Sequence, residues 1–150
     1  MASIRLARPD EREALEALQW RASLAMPDYR DQLLANRDAV ELPAEQIAAS
    51  RVLVAEEGCD LAGFAVWLDS SADEAAELDG LFVAPSRWRQ GIGRALVDAA
   101  AEAAVLAGRR YLTVIANPGA ARFYERCGFV AEGEADTRFG PAPVMTRRLG

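Results

Sequence analysis

The chain has no histidine and no lysine: all 17 basic residues are arginine, set against 23 aspartates and glutamates, and there are two cysteines, Cys59 and Cys127. Each scarcity excludes a chemistry. Without histidine there is no His-based triad and no His-ligated zinc. Without lysine there is no Schiff base and no Walker-type phosphate loop, which needs its lysine on the phosphates. Two cysteines lacking a CxxC partner are too few for a cysteine-only zinc site and read as free thiols, so no metal is expected. The net charge of −6 argues against general affinity for nucleic acid or anionic membrane. Proton transfer is left to carboxylates, tyrosine, cysteine, a substrate group or water.

What remains is a globular composition, 51% hydrophobic and 27% charged over 150 residues, which fits one domain spanning 1–150. The longest apolar run, around 99–106, is interrupted by Glu102, follows Asp98, and is far short of a membrane span. The first ten residues carry arginines where a signal peptide needs an apolar core, so a cytoplasmic protein is expected. The alanine- and arginine-rich, lysine-free usage suggests a GC-rich bacterial source.

Periodicity orders the elements. Residues 4–7 read as a strand, and Pro9 opens a helix with Ala14, Leu15, Leu18 and Ala22 at helical spacing. Residues 29–47 read as a second helical region broken near Pro43. The stretches 51–56 and 61–68 form a hairpin about a Gly58–Cys59 turn, and a strand follows at 76–83. A helix over 91–106 should bury Ile92, Leu96, Ala99, Ala100, Ala103 and Leu106, with Gly108 ending it. A strand at 111–115, a short helix at 120–127 and strands at 129–131 and 144–149 complete a mixed α/β (α+β) sheet covered by helices.

The informative segment runs from Leu81 to Leu96. A strand feeds a short loop, then Gly91-Ile92-Gly93, then a helix. The glycines allow close backbone approach, and the helix N-terminus offers unpaired N–H groups and partial positive charge. Between Pro85 and Val97 stand three arginines and no acid, which suits a pyrophosphate. A Rossmann fingerprint would need glycine where Leu96 stands.

This segment resembles the acetyl-CoA loop of the GNAT superfamily of N-acetyltransferases. The stretch from Asn117 through Ala120, Phe123 and Tyr124 to Gly128-Phe129 resembles the family's later motif, Asn-x-x-Ala-x-x-Phe/Leu-Tyr-x-x-x-Gly-Phe. The resemblance implies a mostly antiparallel sheet with one splayed parallel strand pair, and transfer of acetyl from acetyl-CoA to a primary amine of a small molecule or peptide by direct attack. It assigns Leu81, Phe82, Val83, Trp88, Arg89, Gln90, Gly91, Ile92, Gly93, Arg94, Asn117 and Tyr124 to the cofactor. Trp88 is a departure, since the family usually has Gln or Arg there. Tyr124 matches the tyrosine that gives the departing thiolate a proton or a hydrogen bond. Glu77, or Asp79 on the same strand face, or ordered water, would take the amine's proton. The acceptor side would be built from residues 20–47 and the loop 134–143, with Trp20, Met26 and Tyr29 as lining and Asp28, Asp31 or Glu41 attracting an amine. Homodimerisation is a family habit. The alternatives are a non-catalytic acyl-CoA-binding regulatory module and a nucleotide-binding module of another fold.

Overall fold

In the computed structural model, which describes residues 2–26, 30–36, 40–70 and 74–149, strand alternation sorts the apolar residues between two faces. Strand β1 (Ser3–Leu6) leads through a 3-10 turn at Pro9–Glu11 into helix α1 (Arg12–Ala25). Helices α2 (Arg30–Ala35) and α3 (Ala44–Ala48), strands β2 (Val52–Glu57), β3 (Asp60–Asp69) and β4 (Ala75–Val83), and helix α4 (Ile92–Leu106) follow. Strand β5 (Tyr111–Ile115), helix α5 (Ala121–Arg126) and the hairpin β6 (Val130–Thr137) and β7 (Gly140–Arg148) end the fold. Spatial order is β1-β2-β3-β4-β5-β7-β6, antiparallel except for the central β4–β5 pair.

On one face Val52, Val54, Phe64 and Val66 pack against Leu15 and Leu18 of α1 and against Leu42 and Ile47. On the other, Ala55, Ala65, Trp67, Leu78, Leu112 and Val114 meet Leu96, Val97, Ala100 and Ala104 of α4. Burying these side chains supplies the main drive to fold, about 25 cal/mol per Å² of apolar surface. Among the described residues no helix is long and apolar enough to cross a membrane.

The structure corrects two expectations and bears out a third. Helix α4 buries Ile92, Leu96, Val97, Ala100, Ala101 and Ala104, while Leu106 is 83% exposed and Ala99 and Ala103 are only half-buried. Alanine occurs all round this helix, so hydrophobic spacing could not fix which stripe faces the sheet. The helical region expected to break near Pro43 does so: α2 ends at Ala35, and Pro43 is the N-cap residue of α3. The expected loop 134–143 is mostly strand: β6 pairs β7 from Val130↔Thr146 to Thr137↔Gly140. Its polar residues hid this, because β6 is an edge strand with little burial to pattern it.

Candidate functional site

The central strand pair separates partway along. Strand β4 matches β5 in parallel at Ala75↔Tyr111, Ala76↔Leu112, Glu77↔Thr113 and Leu78↔Val114, where the pairing ends. On the other side Val66 opposes Gly80 and Trp67 opposes Leu78, which leaves Asp79 as an extra residue in a β-bulge. Beyond the bulge β4 stays with β3, while β5 continues beside β7 through Ile115↔Val144. A groove of about 600 Å³ opens in the gap.

The backbone offers hydrogen bonds there. Ala84 donates its N–H to Ala62 O (2.8 Å), so residues 84 and 82 face β3 and, by alternation in an antiparallel ladder, Leu81 and Val83 turn their polar groups into the gap. Of the predicted trio, Phe82 points its ring to the opposite core, against Phe64 (centroids 5.2 Å apart). The indole Nε1 of Trp88 donates to Val83 O at 2.8 Å. Trp88 thus folds the loop onto the strand end and leaves the Val83 N–H and the Leu81 groups open.

The loop then meets α4. Gly91 is the N-cap residue at φ +82, a conformation that costs other residues about 1–2 kcal/mol. No side chain caps the helix and its first turn has no acid, so its leading N–H groups remain free donors facing the groove. At Gly93 a Cβ would come within 3.1 Å of the Phe123 ring, so glycine is what lets α5 close against the start of α4. Arg87 lines the groove but is paired with Glu57 and with Asp60 (3.1 Å) in the β2–β3 hairpin. Arg89 and Arg94 also line it and have no carboxylate partner among the described residues. Gln90 is exposed and Ile92 buried in the same segment.

On the β5 side Asn117 precedes the 3-10 turn Pro118–Ala120 without spending its side chain on a cap, and it lines the groove. Tyr124 is 7% exposed, edge-on to Phe123 (5.1 Å) and Phe129 (5.4 Å). Burial raises its phenol well above the ordinary value, so it keeps its proton. Cys127 is buried beside it, and burial pushes its thiol up as well.

The two carboxylates share a face of β4 but differ in reach. Asp79 lines the groove at the bulge, whereas Glu77 lies one strand pair earlier and does not. Desolvation raises both, Glu77 further through the charge of Asp79; Asp79 is still open to solvent at the bulge, and a hydrogen bond from Gln46 opposes its rise. Helix α1 closes this end with Ala22, Ser23 and Met26. Trp20 sits instead by Glu16, Ala17 and Val40. Asp31 and Glu41 are exposed away from the groove, and Asp28 and Tyr29 lie outside the described residues. The segments 20–47 and 134–143 do meet, through Arg138 to Asn36 Oδ1 at 3.0 Å. Sequence reasoning gave no individual role to Arg126, to Phe123 of the later motif, or to Ala22 and Ser23 of the expected acceptor segment, all groove-lining. Their only sequence signal was ordinary helix spacing, which does not say that two remote helices share one cleft.

Fold and groove together define a mixed α/β domain with an arginine-lined cleft at a split in its sheet. Residues 48–131 match the model of the acetyltransferase (GNAT) domain, and the chain belongs to that family of acetyltransferases. Among solved structures it is similar to the PaiA N-acetyltransferase of Thermoplasma acidophilum in complex with coenzyme A. The two share 20% identity over 99% of each chain, with a TM-score of 0.78. A GCN5-related N-acetyltransferase of Rhodopseudomonas palustris shares 22% identity over 99% of this chain and 96% of that one, TM-score 0.78. YncA of Salmonella typhimurium, solved with its cofactor acetyl-CoA, shares 20% over 100% and 95%, TM-score 0.74. At these identities the likeness shows the fold. No curated protein matches the chain in sequence.

Proposed function

We propose that this acetyltransferase binds acetyl-CoA in the groove and passes the acetyl group directly to a primary amine of a small molecule or peptide. The observation that carries this reading is the continuous run of unspent donors, from the open edge of β4 at Leu81 and Val83 onto the uncapped, acid-free start of α4. An extended amide-bearing arm ending in a pyrophosphate matches that order of groups. Two of the similar structures, PaiA and YncA, hold coenzyme A or acetyl-CoA.

Bound acetyl-CoA supplies the thioester that a neutral amine attacks. An amine with a pKa of about 10.4 is almost wholly protonated at neutral pH, so a proton acceptor near the bulge speeds the reaction. Asp79 occupies that position, either directly or through water, and Glu77 stands behind it. As the new N–C bond forms and the C–S bond breaks, the amine's proton passes to the proton acceptor and the departing thiolate is stabilised by a hydrogen bond donated by the Tyr124 hydroxyl. Burial holds that phenol neutral, so it keeps its O–H and is a hydrogen-bond donor at every physiological pH. Cys127 takes no part: its thiol is raised by burial, away from the nucleophilic thiolate form, and the chain has no histidine to activate it.

Calorimetric titration with acetyl-CoA, beside NAD and ATP, tests the reading. Micromolar binding of acetyl-CoA alone is expected, followed by free-thiol release when a panel of primary amines is added. Absence of binding by the folded protein would overturn it.

A further inference from the structure

The groove is electrically polar along its length. At the α1 end the ionisable lining residue is Asp79; at the far end it is lined by Arg87, Arg89, Arg94 and Arg126. Arg87 is neutralised by Glu57 and Asp60. The other three have no carboxylate partner among the described residues, in a chain where acids outnumber bases 23 to 17. Elsewhere Arg5, Arg51, Arg109 and Arg147 have found acids, whereas Arg8, Arg21, Arg30, Arg122 and Arg148 have no carboxylate partner among the described residues but line no part of the groove.

A pyrophosphate at the start of α4 is already served by the free N–H groups, the helix dipole and the two arginines on that segment. Arg126 lies outside that set. It stands in the last turn of α5, across the cleft from the α4 start. A Cβ at Gly93 would lie 3.1 Å from the Phe123 ring, and Arg94 and Arg126 line the same groove, so α5 and the first turn of α4 face one another. A third, separate anion therefore has a cation waiting for it on the opposite wall. The helix dipole gives a weak reason for Arg126, because α5 has only six residues.

We infer that Arg126 receives the 3′-phosphate of the CoA moiety and so makes the enzyme discriminate between CoA donors and their dephospho forms. The inference rests on the acetyl-CoA reading above. A guanidinium–phosphate pair that is open to solvent on one side is worth roughly tenfold in affinity.

Calorimetry with acetyl-CoA and acetyl-dephospho-CoA tests this on wild type, Arg126→Ala and Arg122→Ala, with melting temperatures recorded for each. Wild type should bind acetyl-CoA about tenfold more tightly than the dephospho form. Arg126→Ala should lose that preference by weakening acetyl-CoA alone, with unchanged dephospho affinity. Arg122, exposed on the same helix and outside the groove, should leave the preference intact when replaced by alanine. Competition by adenosine 3′,5′-bisphosphate over 5′-ADP should follow the same pattern. The inference is overturned if wild type shows no preference, if Arg126→Ala weakens both donors equally, or if it keeps the preference. Wild type binding neither donor would overturn the acetyl-CoA reading and this inference together.

Discussion

In its first half, residues 75–78, β4 is paired on both sides, to β3 and to β5; in its second half, residues 79–83, it is paired to β3 alone. The first half carries Ala75, Ala76 and Leu78, all buried, and acts as the spine of the sheet. The second carries Gly80, Leu81, Phe82 and Val83, half-buried beside the groove. The residue between them is the bulged Asp79. A sheet that stayed zipped would satisfy more backbone groups but leave no place for a ligand to do so. Binding capacity here is backbone pairing withheld from the fold, and the paired half has to hold the strands firmly enough that the open half stays open.

Variants can break either half separately. Leu78, 2% exposed at the last β4–β5 pair, is the largest lever: Leu78→Ala should cost about 3 kcal/mol in a denaturant titration. Next comes Tyr124→Phe in the open half, which should lower kcat roughly a hundredfold. Its acetyl-CoA affinity and melting temperature should stay near wild type, because the ring contacts with Phe123 and Phe129 survive. A kcat equal to that of wild type would remove Tyr124 from the chemistry.

Asp79→Asn tests the junction and should slow transfer about tenfold at neutral pH. The pH profile carries the sign. Desolvation raises the Asp79 carboxyl, so the wild-type rate should climb as pH rises through that raised value, and this limb should vanish in the variant. A carboxyl raised by folding also opposes folding once ionised, so Asp79→Asn should melt slightly higher than wild type at neutral pH and no higher in acid.

Gly91→Ala has a smaller effect. It forces φ +82 on a residue with a side chain and should cost about 1 kcal/mol while weakening acetyl-CoA binding. The smallest effect belongs to a site remote from both halves. Glu11 accepts from Arg5 (2.7 Å) and from the Arg8 N–H (2.8 Å), which lowers its carboxyl to about 2. Its stabilisation is present above the ordinary pKa of 4.5 and is lost as pH falls toward 2. Glu11→Gln should cost less than about 1 kcal/mol at pH 7, nothing at pH 2, and leave turnover untouched.

Much of this comparison was legible in the chain. The loop from Leu81 to Leu96 and the run from Asn117 to Phe129 both combine local turn chemistry with strand or helix periodicity, and local physics places both where they were expected. The limits of legibility are equally specific. Glu77 and Asp79 look equivalent on an alternating strand, and only the bulge separates them. Arg87, Arg89 and Arg94 look equivalent in a basic segment, and only the distant hairpin acids withdraw Arg87.

The sequence alone determined the mixed α/β class, the chemistries closed to a chain without histidine or lysine, and the glycine-started, acid-free first turn of α4. These depend on composition and on neighbours within a few residues. Tertiary structure alone decided where β4 and β5 part, which face of the alanine-rich α4 is buried, that Trp88 closes on the Val83 carbonyl, and that Arg126 shares a cleft with Arg94. Each of these depends on residues far apart in the chain being brought together, and no local periodicity encodes which partner a strand edge or an arginine will meet.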